Sequence, residues 1–192
     1  MSSKKIVLFL VVVFIVISLT TASELNPSKE GDDLFSVTSR GAFTEGNILI
    51  NGDIQVRGNI LGAGADLAEN IKSSEYLEAG DVVEINPDLD VTIRKSSGAY
   101  SNLVVGVISS DPGIILGQKY EGYPLALAGR VPVKVTNENG PIKRGDILTT
   151  SSTPGYAMKC VDLDKCRSAI IGKSLQELNS KSGLVIALIS LS

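Results

Sequence analysis

Apolar and polar positions divide this chain into stretches of different rhythm. Residues 6–19 are an apolar run broken only by Ser18, preceded by Lys4-Lys5 and followed by Thr20-Thr21-Ala22-Ser23. A basic start, a short apolar centre and a small-residue exit predict an export signal over residues 1–22, cleaved after Ala22 with Thr20 at the −3 position. The uncharged stretch 6–23 sits at the short limit for spanning a bilayer, so an uncleaved signal anchor is the alternative. A buried core strand is the third reading, and it leaves the two lysines without a purpose. Export or anchoring puts the rest of the chain outside the cytoplasm, secreted or held at the cell surface, with Lys4 and Lys5 inside.

Residues 23–45 are polar, with scattered Gly, Ser and acids, and predict a flexible spacer with one short strand near 34–37. A different rhythm follows. Residues 46–63 divide into three hexads, GNILIN, GDIQVR and GNILGA. Gly46, Gly52 and Gly58 recur at every sixth place, and Ile48, Ile54 and Ile60 take the third place of each hexad. Ile50 and Val56 take the fifth. The third and fifth residues share one face of a strand, and Gly-Asn or Gly-Asp supplies the turn. So short a period marks a β-solenoid or fibrous β-repeat. Three hexads bury little alone and need a stacked neighbour or copies from other chains. They are read as the end of a stem, in a homotrimer; an ordinary pair of β-hairpins in a monomer is the alternative.

From residue 64 the pattern is dense in Val, Ile and Leu and is punctuated by Gly, Pro and Asn. It predicts strands over 81–86, 91–95, 103–109, 125–135, 146–151, 169–174 and 184–191. Seven strands so closely spaced predict a mainly β fold, a compact barrel or sandwich over 64–192 with little helix. One or two helical turns are expected over 66–72 and another over 174–178. Two segments echo each other, Leu77-x-x-Gly80-Asp81 and Ile142-x-x-Gly145-Asp146. Each places a Gly-Asp turn ahead of a strand and predicts two comparable hairpins closing one barrel.

Composition narrows the chemistry. The chain of 192 residues has no His and no Trp, two Cys and a formal charge of −3. Removing residues 1–22 takes Lys4 and Lys5 with them and leaves −5. A mildly acidic domain without a basic cluster is a poor nucleic-acid binder. The lack of His excludes Ser-His-Asp and Cys-His catalysis and His-ligated metals, and two Cys cannot make a four-Cys zinc site. No cofactor or metal is expected. Cys160 and Cys166, spaced C-x5-C, are expected to close a local disulfide in an oxidising compartment. Two free buried thiols are the alternative, and a redox pair would normally show C-x-x-C.

Several segments together carry a resemblance. GADLAE (64–69), LEAGDVVEI (77–85), AYSNLVVGVISSDPGIILG (99–117), PLALAGRVPVKV (124–135), NGPIKRGDILTTSSTPGYAM (139–158) and IIGKSLQEL (170–178) resemble the C-terminal domain of phage tail-fibre and neck-appendage proteins, found also on bacterial surface proteins. The upstream GNILINGDIQVRGNI is similar to the repeat text that leads into this domain. The resemblance covers about 64–192. It implies a β-rich, trimer-forming tip that works as an intramolecular chaperone at the end of a fibrous stem. Some such domains cut themselves from the stem by a glutamic-type peptidase activity. The resemblance then places the scissile bond at Ala65-Asp66, with Glu69 as catalyst and Asp66 assisting. Ala65 stands where a hydroxyl-bearing residue is expected, which removes an N-to-O acyl shift. Read from the residues alone, Asp66-x-x-Glu69 is a capping-box start to a short helix rather than a catalytic pair.

Other motifs have ordinary readings. Arg144-Gly145-Asp146 looks like an integrin ligand, but the Ala79-Gly80-Asp81 echo explains it as turn chemistry. Asp111-Pro112 reads as a turn. Asp162 and Asp164 are too few for a calcium site and have Lys159 and Lys165 beside them. Gly62-x-Gly64 lacks the surroundings of a nucleotide loop. Tyr120 and Tyr123 can stack on a sugar or line a trimer seam. Three functions therefore compete: a structural fibre-tip module that registers a β-stem and supports surface attachment, a self-cutting domain, and a carbohydrate-binding adhesin.

Overall fold

The computed structural model describes residues 50–60, 62, 64–117 and 122–190. The export segment, the spacer, Gly46, Ile48 and Tyr120 lie outside them. The chain divides between Gln55 and Val56, and the account below concerns the part from Val56 onward. Residues 50–60 form no strand. Gly52 and Gly58 are exposed, and so are Ile54 and Ile60, at 69% and 66%. Among the described residues, therefore, the hexad positions Ile50, Ile54, Val56 and Ile60 are uncovered.

The fold is mainly β with little helix. Its strands are β1 (Asp66–Ser73), β2 (Val82–Ile85), β3 (Thr92–Lys95), β4 (Val104–Ile108), β5 (Ile114–Leu116), β6 (Tyr123–Thr136), β7 (Ile147–Thr150), β8 (Ala157–Lys159), β9 (Ile170–Ser174) and β10 (Ser182–Ser190). The single helix among the described residues, α1 (Leu163–Cys166), is one turn long. All ten strands join one sheet, in the order β10-β9-β7-β8-β6-β4-β2-β3-β1-β5, with further pairings of β6 to β10 and to β1.

Those further pairings make two closed circuits rather than one clear barrel. In the first, β1 runs parallel to β3 and antiparallel to the amino half of β6, while β4 pairs with that half and with β2. β2 and β3 close it as a hairpin. In the second, the carboxyl half of β6 runs parallel to β8 and antiparallel to β10. There β9 pairs with β10 and β7, and β7 with β8. The connectivity is the same strand for strand. β1, β2, β3, β4 and the front of β6 correspond to the back of β6, β7, β8, β9 and β10. Only β5 stands outside, added to the edge of β1.

The Gly-Asp echo is the sequence sign of this duplication. Gly80 and Gly145 both sit at φ +86°. Asp81 Oδ2 accepts the Glu78 N–H at 2.8 Å, and Asp146 Oδ2 accepts the Lys143 N–H at 2.8 Å. A side chain closing the turn onto a backbone donor, with glycine in the left-handed region, launches β2 and β7 in the same way.

Two helix expectations need correction. Residues 66–72 form β1, not helical turns. Although DLAENIKS favours helix locally, β5 and β6 take up its backbone groups on both sides, and pairing outweighs local propensity. Residues 174–178 likewise hold no helix; Leu178 instead bridges Ile142. The interiors follow strand alternation. Val131, Val133 and Val135 of β6 face Ile142, Leu148, Ile171, Val185 and Ile189, all buried, in the second circuit. Each contributes about 1.5–3 kcal/mol. The first circuit gathers Leu77, Val83, Ile93, Ile108 and Leu125.

Candidate functional site

The Ala65-Asp66 junction lies where the chain enters β1. Here it runs against two other pieces of backbone. A Cβ on Gly64 would lie 2.1 Å from the Asp111 carbonyl, and one on Gly129 would lie 2.5 Å from Asp66 Cα. Glycine at 64 and 129 thus lets the β4–β5 turn and the middle of β6 close on the junction. The Ala65 carbonyl accepts the Arg130 N–H at 3.2 Å, and the Asp66 carbonyl accepts the Gly113 N–H at 2.8 Å. Both carbonyls flanking the Asp66 residue are held and polarised.

The Asp66 side chain is buried, at 8% exposure, and its Oδ2 has no hydrogen-bond partner among the described residues. Burial raises its pKa above the ordinary carboxylate range, the Ser109 hydroxyl works against that, and the Asp111 charge adds to it. A cleft of about 340 Å³ opens beside it, bordered by Ile60, Gly62, Gly64, Ala65 and Gly129. A protonated carboxyl next to a polarised amide carbonyl can deliver a proton to the amide nitrogen.

Glu69 stands apart. It is exposed on β1, past the register shift between Leu67 and Ala68, and among the described residues its carboxylate makes no hydrogen bond or ion pair. No contact joins it to Asp66. Sequence reasoning pointed to Asp66 but missed Ser109, Asp111 and Arg130. They reach the junction only through the pairing of β1 with β6 and the turn after β4, for which no local signal exists.

The remaining motifs resolve into structure. Cys160 and Cys166 form a disulfide with Cα atoms 6.3 Å apart, enclosing α1. Asp162 caps α1, accepting from Asp164 and Lys165 N–H at 3.1 and 3.3 Å. Asp146 of the Arg-Gly-Asp sequence is engaged by Lys143 N–H and by Lys159 Nζ at 3.0 Å. Arg144 pairs with Glu177. Tyr123 is half-buried and packs against the first circuit's core.

Comparison with known proteins bears on the fold. The chain is similar to the pre-mature bacteriophage phi29 gene product 12, with 17% identity, a TM-score of 0.54 and 73% of this chain covered. It spans only 24% of that protein's chain, about a quarter of its length. It is also similar to a C-terminal fragment of gene product 12, at 16% identity and TM-score 0.46, over 65% of this chain and 100% of the fragment. A third likeness is to the N base of head fiber gp8.5 of bacteriophage phi29, at 18% identity and TM-score 0.37, over 64% of this chain and 92% of that one. No protein-family model matches the chain, and no curated protein does. At such identity the first likeness shows a shared fold with bacteriophage phi29 gene product 12 over 73% of this chain, and the fold alone.

Proposed function

We propose that the chain is an exported, trimeric fibre-tip module that brings its stem segments into register and supports attachment at a surface. One observation carries this reading: a single chain leaves apolar surface open. All three residues of the edge strand β5 are exposed, Ile114 at 43%, Ile115 at 43% and Leu116 at 47%. An apolar hollow of about 470 Å³ lies beside the first circuit, bordered by Ile71, Ile85, Val91, Val105 and Leu127. Val91 is 83% exposed and holds φ +49°, an unfavourable backbone for a β-branched residue. Contiguous open apolar surface and an unpaired edge are features that association covers. Tip association also raises the effective concentration of the adjoining hexads, so their Ile and Val positions can pair between chains.

The test is the mass of the full-length chain by light scattering. A trimer is expected, converted to monomer by Ile115→Glu. A monomeric wild-type chain overturns the reading.

A second reading has its own support, the buried Asp66 carboxyl beside the Ala65 carbonyl held by Arg130. In self-cleavage, the oxygen of a water bonds to the Ala65 carbonyl carbon and the C–N bond breaks, while the carboxyl gives its proton to the departing nitrogen and recovers one from that water. A fragment beginning at Asp66 and lost in Asp66→Asn is expected on this reading. An uncut chain, identical in wild type and Glu69→Gln, removes it.

A further inference from the structure

We infer that a polar cleft at the mouth of the second circuit binds a neutral hexopyranose unit, plain or N-acetylated, of a surface glycan. The cleft lies where β6 ends, between the β7–β8 turn and the start of β10, and encloses about 480 Å³. That volume falls in the range of roughly 300–1,000 Å³ usual for small-molecule sites. Every side chain around it carries a hydrogen-bonding group.

Its organising residue is Glu138. Oε2 accepts the Ser152 N–H at 2.9 Å and the Ser152 hydroxyl at 2.8 Å. Oε1 has no hydrogen bond among the described residues. The carboxylate is therefore held in one orientation with its second oxygen available, an arrangement that lowers the ordering cost of binding. One carboxylate oxygen beside the Asn137 amide presents acceptors and donors together, which suits adjacent sugar hydroxyls. Tyr156, half-buried at the cleft, offers a ring face for the C–H side of a pyranose. Lys181 on the rim offsets the Glu138 charge, so the cleft favours neither an anionic nor a cationic sugar.

The duplication shows that this opening is specific to the second circuit's loops. By strand register Ser74 and Thr136 are counterparts, as are Asn86 and Ser151. In the first circuit Asn86 Nδ2 donates to Ser74 Oγ at 3.0 Å and ties the mouth shut. In the second, Ser151 turns its hydroxyl back to the carbonyls of Thr153 and Tyr156, at 3.1 and 3.0 Å. Thr136 Oγ1 is left buried at the cleft without a partner among the described residues. The tie has been removed where the polar cleft opens.

The inference holds for a monomer or a trimer. Its test is an array of neutral, N-acetylated, sialylated and phosphorylated glycans probed with the full-length chain. A neutral glycan found there is then titrated against Glu138→Gln and Tyr156→Ala. Binding to a neutral terminal hexose is expected, weakened at least about tenfold in both variants. Glu138 is exposed, so Glu138→Gln is expected to melt with the wild-type chain and to report binding alone. No binding to any neutral glycan, binding confined to acidic glycans, or unchanged affinity in Glu138→Gln overturns it.

Discussion

The two five-stranded circuits share one connectivity and are filled differently. The second is closed around large apolar side chains, with Ile142, Leu148, Met158, Ile171 and Ile189 all buried. The first buries a carboxylate, Glu84, at 1% exposure on β2 and leaves an apolar hollow at its side. The same turn starts both, so the turn and the strand order are what the duplication preserves. The interior and the loop mouths are free to diverge. That division of labour separates what folds the domain from what it can do.

The starting turns give the sharpest way to break this comparison. The Asp81 side chain is 2% exposed and pairs with Lys134 Nζ at 2.7 Å and Lys95 Nζ at 3.4 Å. The Asp146 side chain is 16% exposed and, among the described residues, pairs with Lys159 alone. Asp81→Ala leaves Lys134 half-buried with only the exposed Glu78 to face. It is expected to cost about 3 kcal/mol. Asp146→Ala is expected to cost about 1 kcal/mol, mainly its turn hydrogen bond. Urea unfolding at fixed protein concentration reads both. Equal losses would mean that the turn, rather than its ion pairs, supplies the stability.

Much of this was legible in the chain. Strands rich in Val and Ile, such as β6 and β10, announce themselves because burial demands those residues. The Gly-Asp echo exposed the duplication because a tight turn admits few residue types. β1 was hidden because DLAENIKS meets helix preferences, and its strand state depends on partners far along the chain. β5 and β8 are three residues each, too short to show a period. Asp66 was singled out through resemblance, as a candidate only. The Ser109, Asp111 and Arg130 surroundings were not, since they assemble only when β6 and the β4–β5 turn reach the junction. The glycan cleft was illegible for the same reason, with Glu138 and Tyr156 on different loops.

The buried polar counterparts sharpen the comparison at a smaller scale. Glu84 and Thr149 occupy equivalent places after the two turns. Burial works to raise the Glu84 pKa, but Ser101, Ser97 and Arg94 together hold the carboxyl below its usual range. Ser101 Oγ donates at 2.7 Å, Ser97 Oγ at 2.8 Å and Arg94 Nε at 3.0 Å. Thr149 is fully buried, and its hydroxyl has no partner among the described residues. Glu84→Gln is expected to cost about 2 kcal/mol near neutrality, because charged hydrogen bonds are lost. A carboxyl with a lowered folded pKa stabilises above its unfolded value, and this is lost as the pH falls through the folded one. The Glu84→Gln deficit should therefore shrink in acid. Thr149→Val, an apolar replacement of like shape, is expected to be neutral or stabilising by up to about 1 kcal/mol. A clear loss there would reveal a buried water serving the hydroxyl.

The smallest effect carries the opposite pH sense. Asp66 is a buried carboxyl of the first circuit with one oxygen lacking a partner among the described residues, and burial raises its pKa in the folded chain. A carboxyl so shifted is tolerated while protonated, below its unfolded pKa. Its burial becomes a penalty as the pH rises through the folded value. Asp66→Asn removes the ionisation while keeping size and hydrogen-bonding capacity. The variant is expected to be more stable than wild type by about 1 kcal/mol near pH 7, and indistinguishable near pH 3. Thermal melting across that range checks it. Glu84→Gln and Asp66→Asn would then move in opposite directions near neutrality and converge in acid. If Asp66→Asn instead lowers the neutral melting point, the carboxylate has a partner that repays its burial, and the protonated group invoked for cutting at Ala65-Asp66 is lost with it.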